Sequence, residues 1–150
     1  MTPRQFPLPA SLTYLVTGLL ANLAWETAQI PLYTIWRTGS RREIGFAILH
    51  CTGGDALIAG GTLALGLLAA RSAGWPLFGA RMATVVIMGG LAYTVFSEWF
   101  NVEIRRSWTY ATAMPVLPPF GTGLAPVLQW LTVPALAFLA ARRHLTRDGR

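Results

Sequence analysis

Four ionisable side chains, Glu26, His50, Asp55 and Glu98, stand inside otherwise apolar sequence. Hydrocarbon makes an idle charge expensive, so carboxyl and imidazole groups in such surroundings are candidates for function. Their chemistry is proton transfer. Desolvation and a neighbouring carboxylate favour the protonated form of a carboxyl, so one acid can donate a proton while a second carboxylate, or His50, accepts one. The competing reading is that these groups hydrogen-bond between helices and fix packing.

The spacing around these residues is helical. Asn22, Glu26 and Gln29 follow at steps of four and three, and Thr94, Glu98, Asn101 and Arg105 at steps of four, three and four, so each set forms one stripe. His50 and Asp55 are five apart, about 140° around a regular helix. They would flank a cleft rather than stack, unless Gly53 and Gly54 let the helix distort between them. The candidate catalytic set is therefore Glu26, His50, Asp55 and Glu98. Gln29, Asn101, Trp108, Tyr110, Gln129 and Arg105 are the candidates for binding substrate.

Histidine with carboxylates can also hold iron, zinc or manganese. The Glu-x-x-His pairs of di-iron bundles are missing, however, and one histidine lies within the apolar segments. The sequence has no Cys-x-x-Cys-His, no phosphate loop and no pair of intramembrane histidines for a haem, so no metal and no cofactor is expected. Ser97 and His50 would be a nucleophile and base only if the fold joined them. Cys51 is the sole cysteine, which excludes an internal disulfide and a cysteine-based zinc site.

The elements that must position these groups are membrane spans. Apolar residues make up 53% of the 150 and charged residues 12%, with a mean hydropathy of +0.47; a soluble domain carries about twice that charge. A spanning helix needs about 20 mainly apolar residues. Four segments qualify, at about 10–34, 44–70, 82–104 and 124–141, so the expected fold is an all-α membrane protein, a single four-transmembrane-helix bundle. The first apolar stretch runs past residue 25 without an Ala-x-Ala-like cleavage site and reads as a retained span.

All twelve basic residues are arginines, and most flank these segments. That placement fits membrane anchoring, and nucleic-acid binding is not expected. With four spans both termini share a side, which holds Arg4, Arg71, Arg81, Arg142, Arg143, Arg147 and Arg150; Arg37, Arg41, Arg42, Arg105 and Arg106 lie opposite. The positive-inside rule then puts the termini in the cytoplasm, for a multi-pass protein of a bacterial cytoplasmic membrane.

This topology gathers the polar residues. Glu26, Gln29, His50, Asp55, Glu98, Asn101 and Gln129 all fall in one half of the bilayer, while Leu63–Ala70 and Val133–Ala141 serve the other with plain apolar sequence. The bundle has a wet half and a dry half. Pro31 and Pro134 withhold donors from the carbonyls of Thr27 and Trp130, so both helices should kink beside polar side chains. The segment from Trp108 through Tyr110 and Met114 to Pro115, Pro118, Pro119, Gly121 and Gly123 is too broken for a helix and too apolar for a solvated loop, as an interfacial lid over the polar cleft would be. Trp25, Trp36, Trp99 and Trp130 serve either as belt residues or as pocket walls. The five arginines at this end either meet anionic lipid or hold a phosphate head group.

The stretch from Glu98 through Ser107-Trp108-Thr109-Tyr110, Pro119-Phe120-Gly121 and Val127-Leu128-Gln129-Trp130-Leu131-Thr132-Val133-Pro134 resembles the end of the small membrane domains of bacterial and fungal carotenoid (lycopene) cyclases. The chain also resembles small bacterial membrane proteins of no assigned activity. The cyclase resemblance implies a helical scaffold that handles a long isoprenoid-like substrate. That family carries adjacent glutamates, thought to work in acid–base cyclisation, where this sequence has Leu128 and Gln129. Any acid work here would pass to Glu26, Asp55 or Glu98.

Two classes of function follow. One is a cofactor-independent acid–base cyclase or isomerase, whose substrate is a membrane lipid or other lipophilic small molecule arriving sideways from the bilayer. The other is a small transporter or an accessory subunit of a membrane complex. Transport through four helices would call for a homo-oligomer, built through the small residues at Gly60-Gly61 and Gly89-Gly90.

Overall fold

The computed structural model describes residues 7–148. Arg4 and Arg150, which entered the orientation count, lie outside the described residues. Among the described residues, four helices are long and apolar enough to cross a membrane, at Leu8–Leu32, Arg41–Ser72, Ala80–Ile104 and Leu124–Leu145.

Helix α1 (Leu8–Gln29) begins at a proline, whose missing N–H costs nothing in a first turn. At its other end Pro31 does more than kink it. The α-helix stops at Gln29 and tightens into a 3₁₀ turn, Ile30–Leu32, after which Tyr33 is extended. The expected helix to residue 34 is thus too long, because the proline ring and its absent donor stop the regular hydrogen-bond ladder.

A single turn, α2 (Ile35–Thr38), leads to Ser40. Ser40 and Glu43 then form a reciprocal capping box: the Glu43 N–H donates to Ser40 Oγ at 3.3 Å and the Ser40 N–H to Glu43 Oε2 at 2.8 Å. This cap opens α3 (Arg41–Ser72) about three residues before the apolar pattern starts. Gly53 and Gly54 do not interrupt α3.

Helix α4 (Ala80–Trp99) widens at its end into a π turn, Phe100–Ile104, in which the Arg105 N–H reaches back to the Phe100 carbonyl at 2.8 Å. A small antiparallel ladder follows, β1 (Val116–Leu117) on β2 (Thr122–Gly123). Helix α5 (Leu124–Asp148) runs through Pro134 and beyond the expected end at 141, its arginine-bearing last turns extending the apolar span.

Each long helix packs chiefly on two neighbours, in the order α1, α3, α4, α5 and back to α1. Successive spans run antiparallel, so the C-terminal ends of α1 and α4 meet the N-terminal ends of α3 and α5. The opposite end is the apolar core, where Tyr14, Leu63, Leu67, Phe78, Met82 and Phe138 are buried together. Close approach there depends on glycine. A Cβ at Gly66 would lie 2.6 Å from Val86 Cγ2, and one at Gly90 would collide with the indole of Trp130. Gly90 is therefore an internal packing residue, whereas Gly60 and Gly61 face open space. Leu12, Leu20, Leu57, Leu65 and Leu68 are exposed on the outside, as lipid-facing positions should be.

Candidate functional site

Gln129 sits at the centre of the polar half with 2% of its surface exposed. Its side-chain nitrogen donates to Asn22 Oδ1 at 3.0 Å, to Glu26 Oε1 at 3.1 Å and to Asp55 Oδ2 at 2.8 Å. One amide thus joins α1, α3 and α5. It offers two hydrogens to three acceptors, so at least one hydrogen is shared.

Gln29 supports the same cluster from one turn along α1. Its nitrogen donates to Glu26 Oε1 at 2.7 Å and to Gln129 Oε1 at 3.2 Å, while its oxygen accepts from the Trp25 indole at 3.1 Å. The stripe of Asn22, Glu26 and Gln29 faces inward as the spacing requires. The carboxyl groups of Glu26 and Asp55 approach each other, and the Trp130 indole faces Asp55. Every one of these five polar side chains is buried.

Glu98 lies in the same half, on α4, with a different set of partners. The Tyr110 hydroxyl donates to Glu98 Oε2 and accepts the Gly123 N–H at 2.9 Å. The Tyr33 phenol and the enclosed Trp108 indole nitrogen also approach this carboxyl. Tyr33 and Tyr110 pack ring against ring, with centroids 5.5 Å apart, and their backbones form an antiparallel bridge. The Ala111 N–H donates to the Leu32 carbonyl at 2.9 Å and the Thr34 N–H to that of Thr109 at 3.0 Å. The connection between α4 and α5 is in this way tied to the end of α1 and roofs Glu98. Burial, and after it the Glu98 charge, hold both phenols above their ordinary range, so both remain proton donors.

The other expected site residues stand apart from these clusters. His50 is exposed, its ring stacked on Phe46 at 5.6 Å, and no hydrogen bond joins it to a carboxyl among the described residues. The buried stripe of α3 runs through Thr52, Asp55, Ala59 and Thr62. With Asp55 turned inward, the separation of about 140° turns His50 out, so it shares the cavity wall with the acids without touching them. Asn101 donates to the Ser97 carbonyl at 2.8 Å and to Ser97 Oγ at 3.3 Å, so Ser97 is engaged on its own helix and not by His50. Arg105 is exposed.

A cavity of about 990 Å³ links both clusters to the surface. Glu26, Asp55 and Glu98 line its inner part, with Trp108, Gln129 and Trp130; Arg42, His50 and Arg105 line it near the helix ends. Among the described residues no three His, Cys, Asp or Glu side chains are grouped as a metal site would need.

Sequence reasoning missed Tyr33 and undervalued Asn22 and Trp130. Asn22 was already on the inward stripe. Tyr33 was hidden by the assumption that α1 continues to residue 34; a proline two residues earlier was the available signal that the backbone becomes extended there.

No family model, curated protein or solved structure matches this chain in sequence or fold comparisons. What the fold and site define is a class: a four-helix, multi-pass membrane protein with a buried carboxyl cluster that opens on one cavity.

Proposed function

We propose that this protein is an intramembrane acid–base catalyst, a cyclase or isomerase acting on a lipophilic substrate that arrives from the bilayer. The observation that carries this reading is the convergence of Glu26, Asp55 and Glu98, from three helices, on one cavity that is otherwise largely apolar. Packing alone does not require three carboxyl groups on a void.

The Glu26–Asp55 pair is built to hold a proton between two oxygens, since two adjacent charges at bilayer depth are costly. That proton would pass to an alkene carbon or an epoxide oxygen of the substrate. The resulting cation would lose a proton from a neighbouring carbon to the vacated carboxylate or to Glu98. No proton is consumed overall, which is the balance of an isomerisation or cyclisation. The faces of Trp108 and Trp130, both on the cavity wall, can stabilise cationic character in between. An isoprenoid-like substrate is the reading that the resemblance of residues 98–134 to the small domains of lycopene cyclases supports.

The arginine distribution supports termini in the cytoplasm, and the resemblance to small bacterial membrane proteins supports a bacterial cytoplasmic membrane. The carboxyl cluster then belongs to the outer half of the bilayer.

The test is an untargeted comparison of membrane lipids and pigments from cells with the wild-type gene, without it, and with Glu26→Gln, Asp55→Asn or Glu98→Gln. The wild type should yield a lipid species that the null and the Glu26 and Asp55 variants lack, with inserted protein at comparable levels in all. Identical profiles for wild type and null would overturn the reading and transfer it to transport or assembly.

A further inference from the structure

Helices α3 and α4 touch closely at the apolar end and part at the polar end. Gly66 allows contact with Val86 and Met82, and Thr62 meets Gly89. Toward the other end the facing residues, Phe46, His50 and Leu57 on α3 and Tyr93, Ser97 and Asn101 beyond them, line the cavity instead. Leu57 is 80% exposed and Phe46 68% exposed. Residues that both line the cavity and lie open to the outside mark a cleft facing lipid.

Arg42, in the first turn of α3, and Arg105, just after the π turn, line the outer part of the same cavity. Both are exposed, and no ion pair engages either among the described residues. Glu43 is the one carboxylate near them on the cavity wall, and Ser40 occupies it through both its N–H and its hydroxyl. Deeper in, Glu26, Asp55 and Glu98 make the floor acidic and unsuited to an anion. The cavity is thus polarised along its length, cationic outside and acidic inside with apolar walls between. Along the helix axes Arg105 lies about 10 Å from Glu98 and Arg42 about 20 Å from Asp55.

From this arrangement we infer that the α3–α4 cleft is the lateral portal of the site, and that its ligand is a long-chain amphiphile with an acidic head, phosphate or carboxylate, held by Arg42 and Arg105 while its chain reaches the carboxyl cluster. The inference rests on the proposed catalytic reading for what happens at the cluster, but the binding it describes is separate. Guanidinium forks suit a phosphate or carboxylate head. The apolar walls suit a single chain, and the acidic floor fixes its direction.

The test is binding of dodecyl phosphate, dodecanol and inorganic phosphate to the full chain in phosphatidylcholine nanodiscs, followed by intrinsic tryptophan emission, to which Trp108 and Trp130 contribute from the cavity wall. Dodecyl phosphate should bind more tightly than dodecanol. Loss of each arginine in R42Q, R105Q and the double variant should weaken the phosphate by about tenfold and leave the alcohol unchanged. Gly54 lines the cavity with open space at its Cβ position, so Gly54→Phe should weaken both chain-bearing probes.

Equal affinity for phosphate and alcohol, or arginine variants without effect, would overturn the head-group assignment. Displacement by inorganic phosphate at the same affinity would reassign the arginines to free phosphate. Unchanged binding in Gly54→Phe would remove the chain from the cavity. Arginine-dependent binding with lipid profiles unchanged by Glu26→Gln would leave the portal standing and end the catalytic reading, and the converse result would do the reverse.

Discussion

Gln129 shows how much of the site depends on one neutral side chain. A glutamate there would place a third acid against Glu26 and Asp55, whereas the amide supplies the donors those carboxyls need and also accepts from Gln29. Removing it strands several buried acceptors at once. Gln129→Leu should therefore destabilise the bundle by about 2 kcal/mol, the scale of buried polar groups left unpaired. Reversible unfolding in mixed micelles would measure this. A change under 0.5 kcal/mol would mean that water or a rearranged Gln29 replaces the amide.

Among the elements, the α4–α5 contact couples helix packing to the carboxyl cluster. Gly90 is the seat of the Trp130 ring, and the Trp130 indole in turn faces Asp55. Gly90→Val should push that ring away and cost about 1–3 kcal/mol through overpacking. Gly60→Ala, on a helix face with nothing within 4 Å of the new Cβ, should instead be neutral or stabilise by up to about 1 kcal/mol. Thermal unfolding of the two variants in detergent gives the comparison, and equal effects would argue against a tight α4–α5 seam. The connection from Ser107 to Gly123 is an element in its own right. Its aromatic and backbone bonds to Tyr33 and Leu32 hold it over Glu98 where sequence alone marked only a lid.

For the whole molecule, the ring of four antiparallel spans places Ser72 and Ser107 on opposite sides of the membrane. Both serines are exposed in loops or helix ends. In a Cys51→Ser background, Ser107→Cys should react with a membrane-impermeant maleimide on intact cells and Ser72→Cys should react only after permeabilisation. The inverse pattern would reverse the proposed orientation, and labelling of both on intact cells would contradict four spans.

The number of spans, their approximate limits and the gathering of polar residues into one half of the bilayer were legible in the sequence, because each depends on hydropathy summed over a local segment and on the parity of the crossings. The inward stripe of Asn22, Glu26 and Gln29 was legible for a similar reason, since helical spacing alone makes those residues share a face. Tertiary structure decided which side chains meet. Gln129 bonds to residues more than 100 positions away, and no local periodicity specifies the rotation of α5 that brings it there. The same rotational choice, made in α3, turned Asp55 in and His50 out. Residue types alone thus marked which side chains could move protons, and how four helices turn about their own axes decided which of them meet.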